Sequence, residues 1–162
     1  MMALALVVLA IISLLLQSTI LPYLTVGGVT PDLILVLAVL YSIFQGPKRG
    51  ALMGFILGLM EDLFLGRFIG MKALTVGLTS LIVGWFAQRA FRENIIVPIL
   101  AMVTATLFSE LIYLCVGKIV GLSWGWDLFL WKAIPLAVYN TCLVPFIYIP
   151  TFSWFIRESE SI

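Results

Sequence analysis

"GALMGFILGLMEDLFLG", residues 50–66, is almost wholly apolar, yet it sets a glycine at every fourth position and two carboxylates near its end. At 3.6 residues per turn a step of four returns to nearly the same face of a helix. Gly50, Gly54 and Gly58 therefore lie on one stripe, and the spacing carries through Asp62 to Gly66 and Gly70. Such an edge, nearly bare of side chains, is what lets two helix backbones approach in lipid, where no hydrophobic effect draws helices together. Whether it meets an internal neighbour or the single span of a foreign partner is left open by the stripe itself.

The whole chain fits that setting. Of its 162 residues 63% are hydrophobic and 10% charged, with a mean hydropathy of +1.20, a composition for an integral membrane protein and not for a water-soluble domain. Roughly 20 apolar residues cross a bilayer core, so the length admits about six crossings and little else. Hydropathy and breakers place them near 2–22, 31–45, 49–66, 70–90, 94–119 and 127–156. The expected architecture is all-α: one integral-membrane domain over 1–162, a polytopic bundle of six transmembrane helices. Residues 2–22 lack the positive n-region and A-x-A site of a signal peptide and are read as the first span. Spans two and three are short enough to be partly buried by longer neighbours. Pro31 and Asp32 suit a helix start, the acid beside the positive end of the dipole. Pro135, Pro145 and Pro150 predict a kink or an early exit in the last span.

Several chemistries are excluded by residue type. There is no histidine, which removes imidazole-based metal sites, Ser-His catalysis and histidine relays. Asp62 is the single aspartate at membrane depth, whereas an intramembrane aspartyl protease needs two. No repeat suggests a proton-coupled transporter. A net charge of +1 gives no footprint for nucleic acid, and Cys115 and Cys142 read as small hydrophobes. No catalytic residue, metal or cofactor is expected. Under six crossings Lys48, Arg49, Arg89, Arg92 and Arg157 share one side, against Arg67, Lys72, Lys118 and Lys132 on or near the other. The compact "PKRG" and "QRAFRE" clusters put both termini in the cytoplasm.

Charged groups at membrane depth cost at least about 2.5 to 3.5 kcal/mol when central and normally face protein or water. Asp62 is expected to fix a helix contact near the outer face through backbone or a cation such as Lys132. Glu61, about 100° away around the helix, is read as an interfacial charge near Arg67. Glu110 shares a face with Thr106 and Tyr113. Its candidate partners are Lys132, Asn140 and Thr141 on the last span and Gln17 with Ser13 on the first. Gln17, Asp62, Glu110, Lys132 and Asn140 are thus the candidates for one polar pocket open to the outside.

These residues also resemble a family. Residues 31 to about 84 match the pattern of the bacterial rod-shape-determining protein MreD. A Pro-Asp (Pro31, Asp32) opens an apolar span, Gly50, Gly54, Gly58 and Leu59 form a glycine repeat, an acidic "DL" follows at Asp62 and Leu63, and Gly70 precedes Ala73 and Leu74. "LLLQSTILP", around Gln17 and Pro22, is similar as well. The resemblance implies a non-enzymatic component of the cell-elongation machinery in the bacterial inner membrane. It implies binding to MreC, a single-span periplasmic scaffold, and support of the glycosyltransferase and class B transpeptidase that build lateral-wall peptidoglycan. It implies a fold like the S components of energy-coupling-factor transporters, six helices around an outward pocket. The second reading is a small-molecule-binding S-type subunit of a vitamin transporter. Against it, Ala3, Ala5 and Ala10 are not spaced as the A-x-x-x-A contact of such subunits.

Overall fold

A computed structural model describes the backbone over residues 2–25, 28–65, 68–87, 96–121 and 126–159. Six α-helices and one short 3-10 turn account for nearly all of it: α1 (Met2–Thr19), the turn Leu21–Leu24, α2 (Leu33–Gln45), α3 (Pro47–Leu65), α4 (Met71–Ala87), α5 (Ile96–Ile119) and α6 (Trp126–Ser159). The expected spans are therefore six helices, and no strand occurs among the described residues. Two of them, α5 and the Phe129–Tyr148 part of α6, are long and apolar enough to cross a membrane unaided. The 13 residues of α2 rise only about 20 Å, short of a roughly 30 Å hydrocarbon core.

Local chemistry sets the boundaries. Asp32 is the N-cap of α2, its side chain accepting from the Leu35 N–H at 2.9 Å. Pro31 lies just outside the helix and not in its first turn. It is Pro47 that occupies a first helical position, so α3 begins two residues before the expected start. Gly70, expected on the packing stripe, sits instead in the turn before α4 with φ +95°, a left-handed conformation that glycine adopts at little cost. Gly66 lies outside the described residues. α6 runs as one helix through Pro135, Pro145 and Pro150, so of the kink or early exit expected there the early exit does not occur.

α2 forms the centre and touches all five other helices. Its sequence is apolar around its whole circumference, and eleven consecutive or nearly consecutive residues from Leu33 to Phe44 are buried, as a helix without a polar face requires. α3 buries Gly50, Gly54, Gly58, Glu61 and Asp62 beside Leu57 and exposes Leu52, Phe55, Ile56, Leu63 and Phe64. α4 buries Thr75, Gly77, Thr79, Ser80 and Gly84 beside Met71, Val76 and Val83 and exposes Leu74, Leu78, Leu81, Trp85 and Phe86. In these two helices small and polar side chains are turned inward and most large apolar ones outward, the distribution that a hydrocarbon surrounding selects.

The glycine stripe is taken up within the chain. α3 packs most extensively on α4. A Cβ at Gly58 would lie 2.7 Å from the Ala73 Cα and the Lys72 carbonyl oxygen, and one at Gly54 would lie 2.6 Å from Ser80 Oγ. A Cβ at Gly50 would collide with Ser42 Oγ of α2, as would one at Gly84 of α4. Ser42 Oγ, at this crossing of three helices, donates to the Ser80 carbonyl. Gly50, Gly54 and Gly58 thus line an internal seam, so of the two neighbours left open for the stripe it is the internal one that they meet.

Gly58→Ala is expected to lower stability by about 1 to 3 kcal/mol through overpacking against backbone that has no rotamer to yield. Leu52→Ala, on the outer face, should stay within about 0.5 kcal/mol. Thermal unfolding of the two variants in one detergent checks the ranking, and equal midpoints would contradict the seam.

Candidate functional site

The alternating direction of the helices brings the end of α1, the start of α2, the end of α3, the start of α4, the end of α5 and the start of α6 to one end of the bundle. There they enclose a cavity of about 250 Å³. Gln17, Asp62, Glu110 and Lys132 line it, together with Asp32, Glu61, Lys72 and Tyr113.

Lys72 is the hub. Its ammonium forms an ion pair with Asp32 Oδ2 and stands 3.8 Å from Glu61 Oε1, so one charge from α4 holds α2 and α3. Asp32 and Glu61 are 4% and 3% exposed, a burial that charges tolerate only when paired and hydrogen-bonded. The amide of Gln17 adds α1, its Nε2 donating to Glu61 Oε1 at 3.2 Å. Glu61 is thus an interior residue, not the interfacial charge expected.

Asp62 acts differently. Its Oδ2 accepts from the N–H groups of Gly70, Lys72 and Ala73 at 2.9, 3.1 and 3.1 Å, and its Oδ1 from Lys72 N–H at 3.2 Å. These donors belong to the start of α4, where helical N–H groups lack intrahelical acceptors and the dipole favours an anion. A residue of α3 therefore caps α4 across the turn between them. Of the two contacts expected for Asp62, backbone and Lys132, the geometry has the backbone.

A second layer lies beneath. Asn140 does not line the cavity: its Oδ1 accepts from the Asp32 N–H at 2.8 Å and its Nδ2 donates to Thr106 Oγ1 at 3.2 Å. Thr106 Oγ1 in turn donates to the Met102 carbonyl at 2.9 Å. α2, α5 and α6 are joined by this relay, all three polar residues being buried. On the opposite wall Lys132 Nζ lies 3.2 Å from Glu110 Oε2 and 5.4 Å from the centre of the Tyr113 ring. Thr141 turns back to its own helix, donating to the Ala137 carbonyl.

Sequence reasoning missed Asp32 and Lys72 as members of the cluster. Asp32 was legible only as a cap and Lys72 only as a loop charge. The available signal was the acid opening an apolar run together with a lysine two residues past a helix-starting glycine, both at the same end under a six-span alternation. Among the described residues no group of three or more His, Cys, Asp or Glu is placed to hold a metal ion.

The sequence model of one family, the rod shape-determining protein MreD, matches residues 1–152. The chain belongs to that family, and membership points to a part in determining rod shape. Nothing among curated proteins or solved structures matches the chain.

Asp62→Ala leaves three backbone donors without their carboxylate and is expected to cost about 2 to 4 kcal/mol, since each unsatisfied buried donor costs about 1 to 3 kcal/mol less whatever water recovers. Lys72→Met should be at least as harmful, about 3 to 5 kcal/mol, because it strands Asp32 and Glu61. Adding Asp32→Asn to Lys72→Met should recover part of that loss. Unfolding of the single and double variants measures this non-additivity, and strictly additive effects would break the assignment of Lys72 as hub.

Proposed function

We propose that this MreD-family chain is a non-enzymatic scaffold of the cell-elongation machinery in the bacterial inner membrane, crossing it six times and binding the single-span protein MreC. Family membership supports the rod-shape role, and the outward-facing apolar surface supports the membrane setting. The short helices are no obstacle to six crossings, because α2 is sheathed by its neighbours and prolonged at its start by the buried Val29–Asp32 segment.

Charge bias supports the orientation. By sequence Lys48, Arg49, Arg89, Arg92 and Arg157 share one side, against Arg67, Lys72, Lys118 and Lys132 on or near the other, where Lys72 and Lys132 are engaged in ion pairs within the bundle. The richer side is cytoplasmic by the positive-inside rule. Both termini then face the cytoplasm and the polar cavity faces outward. The elongation glycosyltransferase and class B transpeptidase act on that outer side and are reached through MreC.

The observation that carries the partner site is the light packing of α1. Among the described residues it contacts the bundle less than any other helix, and Val8, Ile11, Ile12 and Leu15 are exposed. Between α1 and α3 lies an apolar groove of about 330 Å³ lined by Ile11, Leu14, Leu15, Met60, Leu63 and Phe64. A single apolar helix laid there would emerge beside Gln17 and Glu61, on the side where its periplasmic domain folds. With the glycine seam closed by α4, this groove is the receiving surface.

Leu63→Trp, which fills the groove from an exposed position, is expected to lower co-purification of MreC at least about tenfold while leaving the thermal midpoint within about 2 °C. The same bulk at Leu78, on the exposed face of α4, should leave MreC recovery unchanged. Undiminished recovery with Leu63→Trp would dismiss the groove. Failure of the wild-type chain to retain MreC at all would dismiss the scaffold reading.

A further inference from the structure

The internal bonds of the polar cavity leave two atoms unexplained. Glu61 is 3% exposed; its Oε1 is engaged by Gln17 and Lys72, but its Oε2 has no hydrogen-bond partner. Gln17 Oε1, on the same wall, has none either. Both are buried acceptors, and a buried acceptor without a donor is costly enough that native proteins seldom leave one unmet. What both atoms lack is a donor.

It is also a deficit of positive charge. The wall carries Asp32, Glu61, Asp62 and Glu110 against Lys72 and Lys132. Asp62 is balanced by the α4 N-terminus and Glu110 by Lys132, so Asp32 and Glu61 share the single ammonium of Lys72. A water molecule would supply a donor but no charge. A metal ion needs several ligands converging on one point, whereas these acids ring a cavity of about 250 Å³ with no such convergence among the described residues. The opposite wall already seats a cation of the fitting kind: the Lys132 ammonium, between the Glu110 carboxylate and the face of Tyr113.

We infer that the cavity binds a primary ammonium group, which donates to Glu61 Oε2 and Gln17 Oε1 and supplies the missing charge. The ammonium is carried by a small free amine or by an aminophospholipid headgroup, since the cavity lies at the helix ends where headgroups gather. The inference stands on the cavity alone; MreC is absent from its test, so its failure leaves the partner reading untouched.

The full chain in detergent is unfolded thermally with ethanolammonium chloride, with the neutral isostere ethylene glycol, and with sodium chloride at matched ionic strength. Ethanolammonium at ten times its dissociation constant should raise the midpoint by about 3 to 6 °C, and the other two should not. Glu61→Gln, which keeps shape but not charge, should weaken ethanolammonium at least about tenfold. Equal effects of amine and glycol, or no effect of the amine, would overturn the inference, as would an undiminished shift in folded Glu61→Gln. Should that variant fail to fold, the comparison of amine with glycol on the wild-type chain still decides. Repeating the titration in phosphatidylglycerol nanodiscs with and without phosphatidylethanolamine identifies the source. Loss of the ethanolammonium shift when phosphatidylethanolamine is present assigns the site to a headgroup, and its persistence to a free amine.

Discussion

One ammonium holds the cavity end of the bundle together. Lys72 projects from the first turn of α4 to Asp32 at the start of α2 and to Glu61 near the end of α3. Its reach is possible because Asp62, the neighbour of Glu61, draws the start of α4 against α3 by capping it. The two adjacent acids of "MED" therefore divide the labour: one fixes where the helix begins, the other meets the side chain that the helix then presents. Without the cap, the lysine has no defined origin; without the lysine, two buried carboxylates face each other.

The same arrangement answers why so apolar a chain keeps charges in its interior. In hydrocarbon an outer leucine gains nothing by turning inward, so helix contacts must come from close approach and from polar bonds. The bundle uses both. Away from the cavity, Gly50 of α3 and Gly84 of α4 close on Ser42 of α2. At the cavity end, carboxylates, lysines and the relay from Asp32 through Asn140 to Thr106 add to the close approach of Gly58 to Lys72 and Ala73. The expectation that the glycine edge packs a helix was readable from a four-residue period. That the helix is α4 was not, since nothing in a stripe of hydrogens names its neighbour.

Much of the fold was legible because helices obey local rules: Asp32 beside the positive end of a helix, long apolar runs between short polar breaks. α3 begins two residues before its expected start because Pro47, read as part of the connection, takes a first helical position. The cavity was legible in part. Gln17, Glu110 and Lys132 were found by asking which polar groups lie too deep to be solvated. Lys72 escaped because a lysine after a glycine turn reads as solvent-facing. Glu61 escaped because its angular offset put it off the glycine stripe, whereas α1 and the Lys72 side chain approach from that other direction.

The seam at Ser42 inverts the usual ranking of amino-acid replacements. In a water-soluble domain the harsh changes are those that shrink a large buried side chain, and adding one methyl group is the mildest edit available. Along Gly50, Gly54, Gly58 and Gly84 a single added carbon meets backbone or a fixed hydroxyl at once, while trimming Leu52 or Ile56 on the outer face removes only what lipid can replace. The positions with the least chemistry are thus among the least free to vary, and a survey of tolerated substitutions would trace this seam as a line of the smallest residues.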